Sequence, residues 1–434
     1  MKEIDARDGL IAQLLQSDVC AFFYRLAQEL PGEQILLNLG REKLLVCQDS
    51  DSVHRVLRGN PGNFHKNFAA FTTYFGSSRL TADGDQWRML QKIGQPLIAQ
   101  VETDEILRET HTHYAHAASR ILKAAKTSPI ITLDPFIDHA AASVVMKTVL
   151  GVDISDISPS FYGDLRTVLV FCGEASMKVY DASLRIAASD TAELESAYRK
   201  VREIIGPLIV KAKAASSNNL NLERFYSAYL SDIDLFGEFS TLLFAGFDTT
   251  SSTLCWALML LANKPSLQRQ LRQELRKLAA GKEITEDIAS HSTTLKALVN
   301  ETFRMFPPVP ILSRISVGED RVGGTPIEPA QKILLSIIGL HHDRNFWAEP
   351  SRMDVGRFPN GEPSNSLRPH FLPFSAGPRM CGGSKFAMTE LSAAIAVLLR
   401  DLQFDPVEKQ PVRFQWGASM RHRGGVKLAV SHAD

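Results

Sequence analysis

Phe374-Ser-Ala-Gly-Pro-Arg-Met-Cys-Gly-Gly383 is the stretch on which the reading of the whole chain turns. It sets Phe374, Gly377, Arg379, Cys381 and Gly383 in a turn-rich segment just ahead of an apolar helical pattern at 384–400. Glycines let a backbone bend tightly and approach a flat partner closely. A cysteine at a helix N-terminus faces unpaired amides and the positive end of the dipole, which favours the thiolate, the form that binds a metal. Arg379 adds positive charge and suits a carboxylate partner. The plain alternative is a buried structural cysteine beside a glycine turn.

Working outward, residues 341–383 form a long irregular segment holding Pro350, Pro359, Pro363, Pro369, Pro373 and Pro378, and loops of this length tend to be functional. Upstream, Glu301-Thr-Phe-Arg304 lies on a helical pattern, where positions three apart share a face, and Phe306-Pro-Pro-Val-Pro310 ends that helix. Ala245-Gly-Phe-Asp-Thr-Thr250 interrupts an apolar run at 239–262. The Thr249 hydroxyl can bond back to the Ala245 carbonyl and bend or open the turn, with Asp248 as a titratable neighbour. The alternative there is a helix contact through small residues with Asp248 paired to a cation. Trp87-Arg-Met-Leu-Gln-Lys92 opens another helical pattern.

Phe374-x-x-Gly377-x-Arg379-x-Cys381-x-Gly383 resembles the haem-binding signature of the cytochrome P-450 family, in the form its soluble bacterial members carry. The resemblance implies that Cys381 is the axial ligand of haem iron, that Phe374 packs near the sulfur, and that Arg379 meets a haem propionate. Glu301, Arg304 and Arg357 are similar to the family's buried network that fixes the cysteine loop, although Met353 and Val355 depart from the usual residues around Arg357. Ala245–Thr250 looks like the oxygen-activation motif, with Thr249 and Asp248 as the implied proton-delivering pair. Trp87 matches a propionate-contacting tryptophan, but Gln91 stands where that motif carries Arg; Arg88 and Lys92 are the neighbours that could compensate. Arg314 matches a position that often supplies a further propionate contact. The resemblance runs from about residue 80 to the C-terminus.

The chain has 434 residues, 44% hydrophobic and 22% charged, which suits a large buried core. Lys plus Arg and Asp plus Glu both total 48, which argues against a general affinity for nucleic acid. Five cysteines without a CxxC pair make neither a disulfide scaffold nor a zinc site. The run at 239–262 carries six consecutive polar residues at its centre, Asp248 to Thr253, so a buried core helix is expected there rather than a membrane span. Helical periodicity covers 85–100, 103–126, 135–150, 190–215, 235–262, 265–280, 292–305 and 384–400, and β-like runs are short and scattered at 35–38, 43–47, 332–337 and 426–430. The expected fold class is mainly α with a small β part, a cytochrome P-450 fold in a single large domain over 1–434.

The implied cofactor is haem b and the implied activity a monooxygenase in the cytoplasm, without a membrane anchor, possessing no dinucleotide fingerprint or flavin segment of its own. A separate ferredoxin- or flavodoxin-type partner is therefore expected to supply electrons at a surface around Cys381, with Arg379, Lys385 and Arg344 contributing charge. An apolar lining of Phe71, Phe244, Ala245, Val309, Ile311 and Met420 favours an apolar or amphipathic small substrate. The alternatives are a peroxide-using or redox-neutral haem-thiolate enzyme and a haem-binding protein without turnover.

Overall fold

Helices form where the 3.6-residue periodicity lies, and side chains mark their ends. The computed structural model describes residues 1–5, 18–38, 43–178, 188–229, 235–279, 291–407 and 412–433. Its main helices are α1 (Val19–Glu29), α2 (Ala69–Phe75), α3 (Gly84–Ala99), α4 (Thr103–Ala125), α5 (Asp134–Leu150), α6 (Ser160–Lys178), α7 (Ala188–Ala215), α8 (Leu220–Ala228), α9 (Leu235–Ala262), α10 (Pro265–Ala279), α11 (Thr293–Met305), α12 (Ile337–His342) and α13 (Ser384–Asp401). The Asp18 carboxylate caps α1 by accepting from the Ala21 amide at 2.9 Å, and Ser292 caps α11 by accepting from Leu295 at 3.1 Å. Gly151, at φ +70°, takes the left-handed turn that ends α5.

The strands are β1 (Lys2–Asp5), β2 (Gln34–Asn38), β3 (Lys43–Cys47), β4 (Phe64–Lys66), β5 (Ile131–Thr132), β6 (Ile311–Ser316), β7 (Asp320–Val322), β8 (Thr325–Ile327), β9 (Lys332–Ser336), β10 (Leu402–Pro406), β11 (Phe414–Trp416), β12 (Met420–His422) and β13 (Lys427–His432). The largest sheet has the order β1-β2-β3-β9-β6-β4, so its neighbours come from opposite ends of the chain. In it β4 and β6 pair antiparallel, with Lys66 opposite Arg314.

Helix α9 runs through the centre, packed against α5, α11 and α13, and one apolar core joins residues from Val19 to Leu428. The polar run inside α9 is satisfied within the protein. Ser251 donates to Asp138 at 2.7 Å, Ser252 to the Met420 carbonyl at 2.6 Å, and Thr253 to the Thr249 carbonyl at 2.8 Å. No helix among the described residues is long and apolar enough to cross a membrane. The fold class is as the sequence suggests, mostly helical with small sheets, and each expected helix forms close to its expected bounds.

Candidate active site

The cysteine loop is closed by a hydrogen bond from the Cys381 amide to the Phe374 carbonyl at 2.9 Å, which folds the intervening residues into a tight turn. Gly377 sits in that turn at φ +74°, and a Cβ there would stand 1.9 Å from the Leu57 carbonyl oxygen, so only glycine fits. Gly383 precedes α13 and sits beside the sulfur, where a Cβ on it would lie 3.9 Å from Cys381 Sγ. Phe374 meets Phe303 of α11 edge to face with ring centroids 5.2 Å apart. The expectation of a lowered Cys381 thiol is not met by the protein's own groups. Burial pushes the thiol up, against the Gly383 amide and the charges of Arg79 and Lys66. A bound cation would reverse that balance, because a coordinated thiol loses its proton.

Cys381 opens into a cavity of about 380 Å³ between the loop, α3 and α9. Phe374, Arg379, Gly383, Trp87, Arg314 and Thr249 all line it, as do the expected substrate contacts Phe71, Phe244, Ala245, Val309 and Ile311. Met420 does not. Its amide donates to the Pro308 carbonyl at 2.8 Å and its carbonyl accepts from Trp256 at 3.0 Å, so it is a buried packing residue, and Trp416, Gly417 and Ala418 take the wall instead. Phe64 and Leu243 are likewise core residues, whereas Phe68 lines the cavity.

The charges around the cavity are one-sided. Lys66, Arg79, Arg314 and Arg379 line it, and no Asp or Glu among the described residues does. Arg79 is paired with the buried Glu238. The guanidinium of Arg379 lies 3.4 Å from Asp83, donates to the Ala82 carbonyl and stacks over Trp87, 4.4 Å from the ring centroid. Among the described residues, the Lys66 ammonium meets the Leu80 carbonyl, at 3.0 Å, and the Phe68 ring. Burial, Arg379 and Arg314 hold Lys66 well below its ordinary value, with Asp83 opposing. Burial, with Arg379, brings Arg314 down to about 10. With all four groups ionised, Lys66, Arg314 and Arg379 against Asp83 leave two positive charges without a counter-charge among the described residues lining the cavity, and the Arg379 Nε is buried without a partner. A thiol facing two surplus cations across an apolar cavity fits haem b, a flat iron chelate with two carboxylates. Arg379 thus faces inward and is no part of an outer docking face, whereas Lys385 and Arg344 are exposed. Neither Arg88, paired with Asp85 at the surface, nor the exposed Lys92 compensates for Gln91.

Behind the loop, Glu301 takes two hydrogen bonds from Arg304, at 2.7 and 2.9 Å, and both side chains are fully buried. Arg357 reaches Glu301 at 3.4 Å, and the Asp354 amide donates to it at 2.9 Å. The sequence reading assigns no role to His341. Its Nδ1 donates to the Phe303 carbonyl at 3.1 Å, its Nε2 accepts from the Leu372 amide at 2.9 Å, and its carbonyl accepts from Arg304. It joins the ion network to the start of the cysteine loop. Burial brings it down to about 3, so it stays neutral.

On α9, Thr249 donates to the Ala245 carbonyl at 2.8 Å, as expected, but the helix continues through the turn. Gly246 has a packing reason, since a Cβ there would lie 2.6 Å from Val145. Asp248 departs from expectation. It does not line the cavity; its carboxylate accepts from Arg421 at 2.8 Å and Ser419 at 2.6 Å on the far side of the helix. Arg421 also reaches Asp138 at 3.0 Å and Asp134 at 3.5 Å, and these acids hold its charge firmly in place.

A family profile described as Cytochrome P450 matches residues 9–430. A mouse protein named leukotriene-B4 omega-hydroxylase 3 is 37% identical over 205 residues, 46% of this chain and 39% of that protein. The human cytochrome P450 4F12 is 38% identical over 209 residues, again 46% and 39% of the two chains. The chain therefore covers well under half the length of these relatives. The Arabidopsis thaliana protein LUTEIN DEFICIENT 5, chloroplastic, is 23% identical over 431 residues, 91% of this chain and 71% of that one. With a cysteine loop, a buried Glu-Arg network and a cation-lined cavity in place, and a match over nearly its whole length, the chain belongs to the cytochrome P450 family.

Proposed function

We propose that the protein is a haem-thiolate monooxygenase that inserts one oxygen atom from dioxygen into an apolar or amphipathic small molecule. The observation that carries this is the meeting of the Cys381 thiol with Lys66, Arg314 and Arg379 in one apolar cavity that no Asp or Glu among the described residues lines. Haem, the cofactor of the family, supplies the oxygen-activating iron when bound. Cys381 would ligate it, and Arg379, Arg314, Lys66 and Trp87 would hold its carboxylates, with Gly377 and Gly383 shaping the loop. The Glu301, Arg304 and Arg357 network would keep that loop in register.

Phe71, Phe244, Ala245, Val309 and Ile311 would surround the substrate and exclude water. The name of the mouse relative, a leukotriene-B4 omega-hydroxylase, supports counting amphipathic lipids within the class. Thr249 would hold and pass a proton at its Oγ1, the hydroxyl that faces the cavity. Asp248, fixed by Arg421, enters only as the far-side anchor of that turn. Electrons would come from a separate ferredoxin- or flavodoxin-type protein at the face carrying Lys385 and Arg344. The hydrogen-bonded polar centre of α9 supports reading that helix as part of the core and not as a membrane span, in keeping with a cytoplasmic protein.

The test takes a substrate found by its shift of the Soret band, adds a redox partner, and measures NAD(P)H consumed, peroxide formed and product formed. The wild type should couple NAD(P)H to product. Thr249→Ala should bind haem and substrate as before yet lose product and release peroxide, a general acid-base group being worth about 10²–10⁴-fold. Unchanged coupling in Thr249→Ala would remove the hydroxyl from the mechanism, and efficient turnover on peroxide alone would favour a peroxygenase.

A further inference from the structure

Helix α3 reaches the cysteine loop through a glutamine. Gln95 Nε2 donates to the Gly382 carbonyl at 3.3 Å, and its Oε1 accepts from Gln91 Nε2, also at 3.3 Å. The Gly382 carbonyl can only accept, so the nitrogen is the end of the Gln95 amide that faces the loop. The Gly382 carbonyl and the Gly383 amide belong to one peptide group, and Gly383 sits against the sulfur, where a Cβ on it would fall 3.9 Å from Cys381 Sγ. A hydrogen bond accepted by a peptide oxygen polarises the group and strengthens its N–H as a donor. Gln95 and the sulfur are therefore linked across a single peptide unit. Gly382 belongs to the same device. A Cβ on it would stand 2.2 Å from Gln95 Oε1, although its φ is one that other residues adopt. Its lack of a side chain keeps the place of the Gln95 amide.

We propose that Gln95 is a positioning residue that sets the hydrogen bond on the Cys381 sulfur through the Gly382–Gly383 peptide, and so tunes how much electron density the thiolate gives to the iron. This rests on the haem-thiolate reading. It also gives Gln91 a purpose where the family pattern carries Arg: it holds Gln95 in its donating orientation. Hydrogen bonds to a ligating sulfur are one of the means by which a protein sets a redox potential.

The holoprotein is compared with Gln95→Leu, Gly382→Ala and the double variant by redox titration and by the ferrous-CO spectrum. Losing the bond should weaken the Gly383 N–H and leave more electron density on the sulfur, so Gln95→Leu should move the ferric/ferrous midpoint to a more negative value and the CO band to longer wavelength. Gly382→Ala should displace the Gln95 amide and move both in the same direction. The double variant should add nothing to Gln95→Leu, because both changes remove one interaction. An unchanged midpoint in Gln95→Leu with the thiolate-type CO band intact would overturn the role of Gln95 alone, and so would fully additive shifts. A wild type lacking that band would overturn the haem-thiolate reading and this inference with it.

Discussion

Lys66 shows how a single residue can be explained only by something it has yet to meet. Its Cα partner across the β4–β6 pair is Arg314, and like charges directly opposite on neighbouring strands are destabilising. Burial adds to the cost, and Asp83 is shared with Arg379. An anion between the three cations removes the conflict. Replacing Lys66 by Met should therefore weaken haem retention by about ten- to a hundredfold, the worth of one hydrogen bond to a charged group at roughly 1.5–3 kcal/mol, while Lys66→Arg restores most of it. Transfer of haem to apomyoglobin, followed by absorbance, measures this; equal release rates in wild type and Lys66→Met would take Lys66 out of the site. The sequence exposes the gap at Gln91 but not what fills it. Lys66 lies on a separate strand, and only the sheet register brings it to Arg314.

At the scale of elements, α11 acts as a rigid post. Glu301 and Arg304 are bound to each other and, through His341 and the Asp354 amide, to points along the irregular segment before Cys381. Removing one partner of a buried pair leaves the other uncompensated and costs about 3–5 kcal/mol. Glu301→Gln should lower stability to unfolding by that order and reduce the fraction of protein recovered with haem. A loss under about 1 kcal/mol in urea titration would show that the network carries no such burden. Much of this level was legible in advance. The Glu301–Arg304 spacing and the long helices α3, α4, α9 and α13 follow from local periodicity, which a chain displays residue by residue. Helices α1 and α8 are short, and α6 has a weak apolar stripe. Strands β1, β4 and β6 owe their existence to partners far away in sequence, so no local pattern announces them. Asp248 was legible as a titratable group but not in its direction, since Arg421 and Ser419, which hold it, stand on and just before β12.

Over the whole molecule, stability should carry the mark of buried groups that keep unusual protonation states. Glu390 on α13 is buried against α4, with the Tyr114 hydroxyl donating to it at 3.2 Å, and burial pushes it up to about 8. Unfolded, it ionises near about 4.3. Between these values the folded protein holds a proton that the unfolded chain releases, so this contribution is fully present at low pH and is lost as pH rises towards 8, at most about 1.4 kcal/mol per unit. Glu390→Gln, which mimics the protonated acid, should flatten the alkaline decline in thermal stability between about pH 4.3 and 8; an unchanged profile would mean that Glu390 is ionised in the fold. His341, brought down to about 3, acts at the other end: the unfolded chain takes up its proton below about 6.5, so stability falls as pH drops from there towards 3. These terms shape the fold around the cysteine loop, but the central claim concerns what that loop binds. The direct measurement is the reduced, CO-treated absorption spectrum of the haem-loaded protein beside Cys381→Ser. Ligation by Cys381 predicts the far-red Soret band of a thiolate complex in the wild type and its loss in the variant, and a variant that keeps the band would contradict it.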